Sequence, residues 1–190
     1  MKRCHWCNLK NPLYVKYHDE EWGIPSHDDN YLFEMLLLES FQAGLSWECV
    51  LNKREAFREA FDGFDYVKIS NYNEHKLEEL RNNKNIIRNK IKIASSVNNA
   101  KIFISIQEEF GTFDKYIWGF TNGCVIKGDG VSTTSELSDK VSKDLSNRGM
   151  KFVGSTIIYS YLQAIGVIND HEVICDMKWR ENYVKHKIWN

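Results

Sequence analysis

Cys4, His18, His171 and Cys175 are the residues of this chain best suited to hold a metal. His171 and Cys175 are four residues apart, so a helix would project both from one face onto one ion. Cys4 and His18 are too widely spaced for that, and a loop has to fold them together. Two sulfurs and two imidazoles suit zinc and fill its four tetrahedral positions, leaving none for water or substrate. Such a site is structural and ties the two ends of the sequence together. Spacing by itself leaves alternatives open. All four could be ordinary packing residues, and Cys4-x-x-Cys7 is a ligand-spaced pair of its own. Cys7 could therefore replace Cys4, or form a redox pair with it. Cys49 and Cys124 fall in apolar surroundings and are expected to be buried thiols.

Since a closed metal site does no chemistry, other residues must. Glu39 follows the apolar run Met35-Leu36-Leu37-Leu38 and precedes Gly44, so partial burial is expected. A buried carboxylate is costly unless it is paired or hydrogen-bonded. Either it faces a cationic ligand, or it forms a structural ion pair with Arg54 or Arg58. Tyr14, Tyr17, Trp6 and Trp47 supply flat faces on either side of it in sequence, whereas Trp22, Trp118 and Trp179 are expected to fill the core.

Composition bounds what these residues can belong to. The chain has 190 residues, enough for one well-filled core and too few for two large domains. Its 43% apolar and 27% charged residues are globular values. A net charge of -1 gives no bulk attraction for nucleic acid or acidic membranes, so any polyanion must be met by local patches. The first residues lack a signal-type apolar stretch, and no segment approaches the roughly 18 apolar residues that would cross a bilayer. Five cysteines without framework spacing fit a reducing compartment, so a cytoplasmic protein is expected.

The elements that must position these groups are expected to be helices. Both prolines, Pro12 and Pro25, are placed before the first helix. Asp28 or Asp29 caps a helix whose stripe carries Leu32, Phe33, Leu36 and Leu37; Gly44 ends it. Ser46 caps a second helix with Val50, Leu51, Phe57 and Phe61 inward. A polar helix is expected over 74–81. A longer one spans about 86–109, with Ile87, Ile91, Ala94, Val97 and Ile102 inward. The glycine-containing stretch 122–134 reads as a loop. Thr133-x-x-Glu136 has capping-box spacing before Leu137, Val141 and Leu145, and Gly149 closes that helix. Positions 151–154 read as a short hairpin, and Ser155 or Thr156 caps the next helix. Amides at such a hairpin and helix start can donate to phosphate, with Arg148, Lys151, Lys140 and Lys143 adding charge. An ordinary helical hairpin with solvated lysines fits the same pattern.

Four strings in order carry a resemblance. They are Asn11-Pro12-Leu13-Tyr14 with Tyr17-His18-Asp19-x-Glu21-Trp22-Gly23, and Leu38-Glu39-x-x-Gln42-Ala43-Gly44-Leu45-Ser46-Trp47. Further on come Arg148-Gly149-x-Lys151-Phe152-Val153-Gly154 and Gln163-Ala164-x-Gly166-x-x-Asn169-Asp170-His171. From Cys4 to about Cys175 the chain resembles the 3-methyladenine DNA glycosylases of type I. The resemblance implies an all-α, single-domain chain over 1–190 with a helix-hairpin-helix at about 135–166. It implies a monomeric, monofunctional enzyme that hydrolyses the N-glycosidic bond of 3-methyladenine in alkylated double-stranded DNA and releases the free base. Zinc would sit on Cys4, His18, His171 and Cys175. Trp6, Tyr14, Tyr17 and Trp47 would wall the base pocket, and Glu39 would accept from the base edge. Gly44 and Leu45 would fill the gap left in the duplex, while Gly149, Lys151, Gly154 and Ser155 would hold the phosphates. Asp170 either stabilises the developing oxocarbenium ion or orients His171. Positions 85–91 depart from relatives that carry glycines there, while Arg88, Lys90 and Lys92 keep the stretch basic. A binding protein without activity and a zinc-dependent hydrolase are the competing readings; the first needs a degraded pocket, the second an open metal position.

Overall fold

In a computed structural model, residues 1–179 are described. Asn11 caps α1 (Pro12–Glu20) by accepting from the N–H of Leu13, and Pro12 takes a first-turn position where no amide donor is needed. Pro12 thus begins a helix that the sequence pattern does not reveal, since α1 buries little besides Tyr17 and His18. Asp28 caps α2 (Asp29–Gln42), as expected, but the stripe is wider than the sequence suggests: every residue from Leu32 to Phe41 is buried. A helix covered on all sides is the centre of the fold.

The second expected helix is two. Ser46 caps α3 (Trp47–Leu51), and after a break at Asn52 and Lys53 comes α4 (Arg54–Ala60). The break lets Phe57 and Phe61 pack on Phe41 of α2 with ring centres 4.9 and 5.8 Å away. Two helices follow, α5 (Tyr66–Ser70) and α6 (Glu74–Asn82), the first unforeseen and the second near its expected bounds. Next is α7 (Lys90–Phe110), which starts later than expected because Asn89 caps it with two backbone amides. Its buried face also differs. Ile91 is 69% exposed, whereas Lys92, Ile93, Ser96, Asn99, Ala100, Phe103 and Ile106 point inward. Thr112 caps α8 (Phe113–Gly119), which packs with α5 and α6 on α7.

Within 122–134 lies a two-residue strand, β1 (Ile126–Lys127), so among the described residues the regular structure is helical apart from one short parallel pair. The capping box forms two residues beyond its expected place, between Ser135 and Ser138, and starts α9 (Glu136–Asn147). Gly149 turns the chain at φ +95°, and 151–154, expected as a short hairpin, is a bend without strands. Gly154, not Ser155 or Thr156, is the cap residue of α10 (Ser155–Ala164). α10 packs on both α9 and α2. Gly166 then has to be glycine: φ is +76° and a Cβ would stand 2.2 Å from the carbonyl carbon of Ile24. The chain continues into β2 (Ile168–Asn169), which pairs with β1 and leads directly to Asp170 and His171. From sequence, the residues after Lys178, with Trp179, Tyr183 and Trp189, read either as an ordered helix or as a loose tail; residues 180–190 and the side chain of Trp179 lie outside the described residues.

Candidate active site and metal centre

The two ends of the sequence meet. Cys4, His18, His171 and Cys175 are all buried, and one donor atom from each lies within 4.8 Å of the others. Cys4 Sγ is 3.4 Å from His171 Nδ1, and Cys175 Sγ is 3.5 Å from both His18 Nε2 and His171 Nδ1. Each imidazole is oriented through its second nitrogen. His18 Nδ1 lies 2.8 Å from Asp19 Oδ1, and Arg3 in turn holds Asp19 at 2.7 Å. His171 Nε2 is 3.2 Å from the Trp22 carbonyl. This arrangement aims Nε2 of one ring and Nδ1 of the other at a common centre, where the group could hold a metal ion. Around it, Lys2 and Asp176 exchange two hydrogen bonds that join the terminal segments.

Cys7 lies outside the cluster, with its sulfur 3.9 Å from the Tyr14 carbonyl. Cys49 and Cys124 correct an expectation. Cys49 is half-buried in the first turn of α3, and Cys124 is exposed beside the turn that ends α8.

Beside the cluster opens a cavity of about 230 Å³. Its walls include Trp6, Tyr14, Tyr17 and Trp47, the four aromatic residues singled out from sequence, together with Glu39. Tyr17 and Trp47 lie 5.1 Å apart between ring centres, and Trp6 lies 5.5 Å from Tyr14. Trp22 is buried, as expected, but it also lines the cavity and touches the cluster, 4.7 Å from Trp6 and 4.6 Å from His171. The aromatic wall and the candidate metal centre are therefore one packed unit. Burial pushes the Tyr14 phenol up to about 12, with Glu48 adding to it, and burial also pushes Tyr17 well above its ordinary value.

Glu39 is 3% exposed, and no protein group among the described residues hydrogen-bonds its Oε2. Burial alone pushes its pKa well above the ordinary carboxylate range. The ion-pair alternative fails, because Arg54 is held by Glu21 and Glu34, and Arg58 by Glu34 and Glu55. Trp47 Nε1 is a second buried polar atom in the wall without a partner among the described residues. An acceptor and a donor thus stand ready for a ligand with hydrogen-bonding edges.

Sequence reasoning missed Gln42, Gln163 and the loop Gly130-Val131-Ser132, which also line the cavity. Gln163 lies in the Gln163-Ala164-x-Gly166 string, which was a usable signal; the loop offered none. Asp170 lines the cavity as well. It accepts from the Tyr159 hydroxyl (3.0 Å), Gln163 Nε2 (2.6 Å) and the Gly130 amide (2.6 Å). These bonds pin the loop to the cavity rim. Asp19 takes an orienting role toward His18, and the Trp22 carbonyl lies against the second nitrogen of His171.

Two turns flank the cavity side of the fold. Gly44, at φ +83°, is exposed, and Leu45 beside it is 43% exposed. In the second turn Lys151 is exposed, while α10, with Gly154 as its cap residue, has no side-chain cap on its first amides. Ser155 turns its hydroxyl inward instead, to Asp139 at 2.5 Å and Ser138 at 2.8 Å. Arg148 is not available for an anion either. It binds Asp144 and Glu109 and lies over the rings of Phe110 and Tyr116. Lys92 is buried and does not add to the basic surface expected over 85–92.

Comparison with known proteins gives a consistent picture. A family model described as methyladenine glycosylase matches residues 6–179. The chain is 43% identical over 180 residues to DNA-3-methyladenine glycosylase 1 of Escherichia coli (strain K12), covering 92% of this chain and 96% of that protein. A crystal structure of 3-methyladenine DNA glycosylase I superposes with a TM-score of 0.88 at 41% identity, covering 92% of this chain and 98% of that one. The 3-methyladenine DNA glycosylase I of Staphylococcus aureus, solved to explain its 3-methyladenine recognition, gives the same TM-score at 33% identity, covering 93% and 98%.

Proposed function

The chain belongs to the methyladenine glycosylase family, and on that premise we propose that it removes 3-methyladenine from alkylated double-stranded DNA by hydrolysing the N-glycosidic bond. The observation that carries this reading is Glu39: a buried carboxylate without an ion pair among the described residues, in an aromatic cavity the size of one small flat ligand. Alkylation at N3 gives adenine a positive charge, which a buried carboxylate favours over the neutral, undamaged base. Tyr14, Tyr17, Trp6 and Trp47 would stack on the extruded base, an interaction worth about 1–3 kcal/mol per base. Trp47 Nε1 would donate to one of its ring nitrogens.

The leaving group explains why so few groups are needed. A cationic 3-methyladenine departs as a neutral base, so the glycosidic bond is already weakened. Extrusion, desolvation and orientation supply much of the acceleration. Asp170 holds the loop at the cavity rim and keeps its bonds to Tyr159, Gln163 and Gly130. No lysine nucleophile is assigned, and the reaction ends at the abasic site. On the duplex, Gly44 and Leu45 would enter the gap, while Lys151, Gly149, Gly154 and the amide of Ser155 would face phosphate. The hydroxyl of Ser155 and the charge of Arg148 take no part.

The ion we assign to the Cys4, His18, His171 and Cys175 cluster is zinc. Sulfur bonds of about 2.3 Å and nitrogen bonds of about 2.0–2.1 Å put tetrahedral S and N neighbours about 3.5 Å apart. Three of the four S···N distances here are 3.4 to 3.5 Å. When bound, zinc supplies a closed four-coordinate cross-link. We further read residues 1–190 as one glycosylase unit with its helix-hairpin-helix at about 135–166, acting as a monomer. Five free cysteines support a cytoplasmic location.

The test is release of bases from methylated genomic DNA, identified by chromatography. Free 3-methyladenine is the expected product. Glu39→Gln should slow its release roughly tenfold to a hundredfold, the loss of a hydrogen bond to a charged group. Binding of methylated duplex without release of any base would overturn the enzyme reading in favour of a recognition protein.

A further inference from the structure

Lys92 stands in the first turn of α7 and is 5% exposed. Its ammonium donates to the carbonyls of Phe41 (2.8 Å) and Ala43 (2.6 Å) and lies 5.6 Å from the centre of the Phe152 ring. Among the described residues no carboxylate pairs with it, and burial lowers its pKa. Those two carbonyls belong to the end of α2, where a helix leaves its last acceptors without partners and concentrates negative charge. Glu39 lies one turn earlier on the same helix. Gly44 and Leu45 come immediately after.

Phe152 belongs to the other turn, and α7 reaches that one too. Asn98 donates to the Gly149 carbonyl at 2.9 Å. Asn99 both donates to the Lys151 carbonyl and accepts from the Lys151 amide, each at 2.9 Å. One helix thus reaches both turns, Lys92 in its first turn holding the carbonyls of Phe41 and Ala43, and Asn98 and Asn99 near its middle holding Gly149 and Lys151. A lysine meant to attract phosphate would point outward, as the exposed Arg88 and Lys90 can. An apolar side chain could fill the same volume without burying a charge. What it could not do is fix two carbonyls at a helix end.

We propose that Lys92 is a positioning residue: by holding the Phe41 and Ala43 carbonyls it sets the Gly44-Leu45 turn against the duplex, and so acts on the base carried by DNA without touching the base pocket. The proposal rests on the glycosylase reading. Its test compares wild type, Lys92→Met and Leu45→Ala in two assays. One is binding of an abasic-site duplex across a range of salt. The other is binding of free 3-methyladenine, followed by tryptophan fluorescence.

Both variants should lose about tenfold in duplex affinity, the scale of one charge-assisted contact. Their salt dependence should stay that of wild type, and so should their affinity for the free base. Wild-type duplex affinity in Lys92→Met would overturn the proposal. So would an equal loss of free-base affinity, which would make Lys92 a support of the pocket. A salt slope reduced by about one would overturn it as well, by placing the ammonium on a phosphate. If Lys92→Met does not fold, Leu45→Ala, at an exposed site, decides: duplex loss with intact free-base binding supports the proposal, and wild-type duplex affinity overturns it. Wild-type protein that binds neither duplex nor free base would instead sink the glycosylase reading itself.

Discussion

Glu34 and Glu39 stand on the same buried helix and meet opposite fates. Glu34 accepts from Arg54 at 2.5 Å and from Arg58 at 2.8 Å, so its charge is matched inside the protein. Glu39 has no such match, and its folded-state pKa is raised by burial. The sign of the consequence follows from linkage. The folded protein holds this proton over a pH range where the unfolded chain has lost it, so stability falls as pH rises above the unfolded value of 4.5. Replacing the carboxyl by an amide removes that dependence. Glu39→Gln should therefore melt close to wild type near pH 4 and progressively above it as the pH is raised, while activity drops. Paired melting curves from pH 4 to 8 check this; parallel curves would mean that Glu39 is charged and compensated. Much of this residue's role was legible in sequence, because an acidic residue closing a run of four apolar ones has nowhere to go but inward. The double duty of Trp22 was not, since a tryptophan that fills a core and one that lines a cavity look alike until the cavity exists.

At the scale of elements, the two turns differ in which charges they can offer. Lys151 is exposed, whereas Arg148 is tied to Glu109 and Asp144 and covered by Phe110 and Tyr116. Lys151→Ala should weaken duplex binding and lower the salt slope by about one. Arg148→Ala should leave that slope unchanged and show its effect in thermal stability, through the lost pairs and ring contacts. Salt titrations of the two variants separate the roles, and a changed slope in Arg148→Ala would contradict the assignment. The helices themselves were legible where caps and apolar periodicity agree, as in α2, and in α9 by its period although its capping box forms two residues later. Short helices such as α1, α5 and α8 carry too few turns for a period to show. The face of α7 was misread for a definite reason. Its buried stripe includes Lys92, Ser96 and Asn99, whose hydrogen bonds inside the fold make polar residues belong there. Hydrophobic periodicity cannot see a face built that way.

Over the whole molecule, the candidate metal centre closes nearly the full length of the described chain. Cys4 and Cys175 lie at opposite ends of it, and Trp6 and Trp22 stand between the cluster and the cavity, in contact with His18 and His171. A cross-link that restricts so long a loop stabilises through the unfolded state, by about 4–5 kcal/mol if it acts like a covalent bridge over a comparable span. For a chain of this size that corresponds to a melting temperature lower by about 10–20 °C once the ion is removed. Chelation, or Cys175→Ser, should produce this loss. It should also weaken capture of free 3-methyladenine, because the imidazoles that back the tryptophan wall lose their common anchor. Cys7→Ser should do neither, as its sulfur lies outside the donor set. Metal content, melting temperature and free-base affinity measured on the same preparations distinguish the cases. A chelated protein that melts lower but binds the base as before would confine the ion to joining the termini. A drop in both would make the same ion the support on which the base pocket is built.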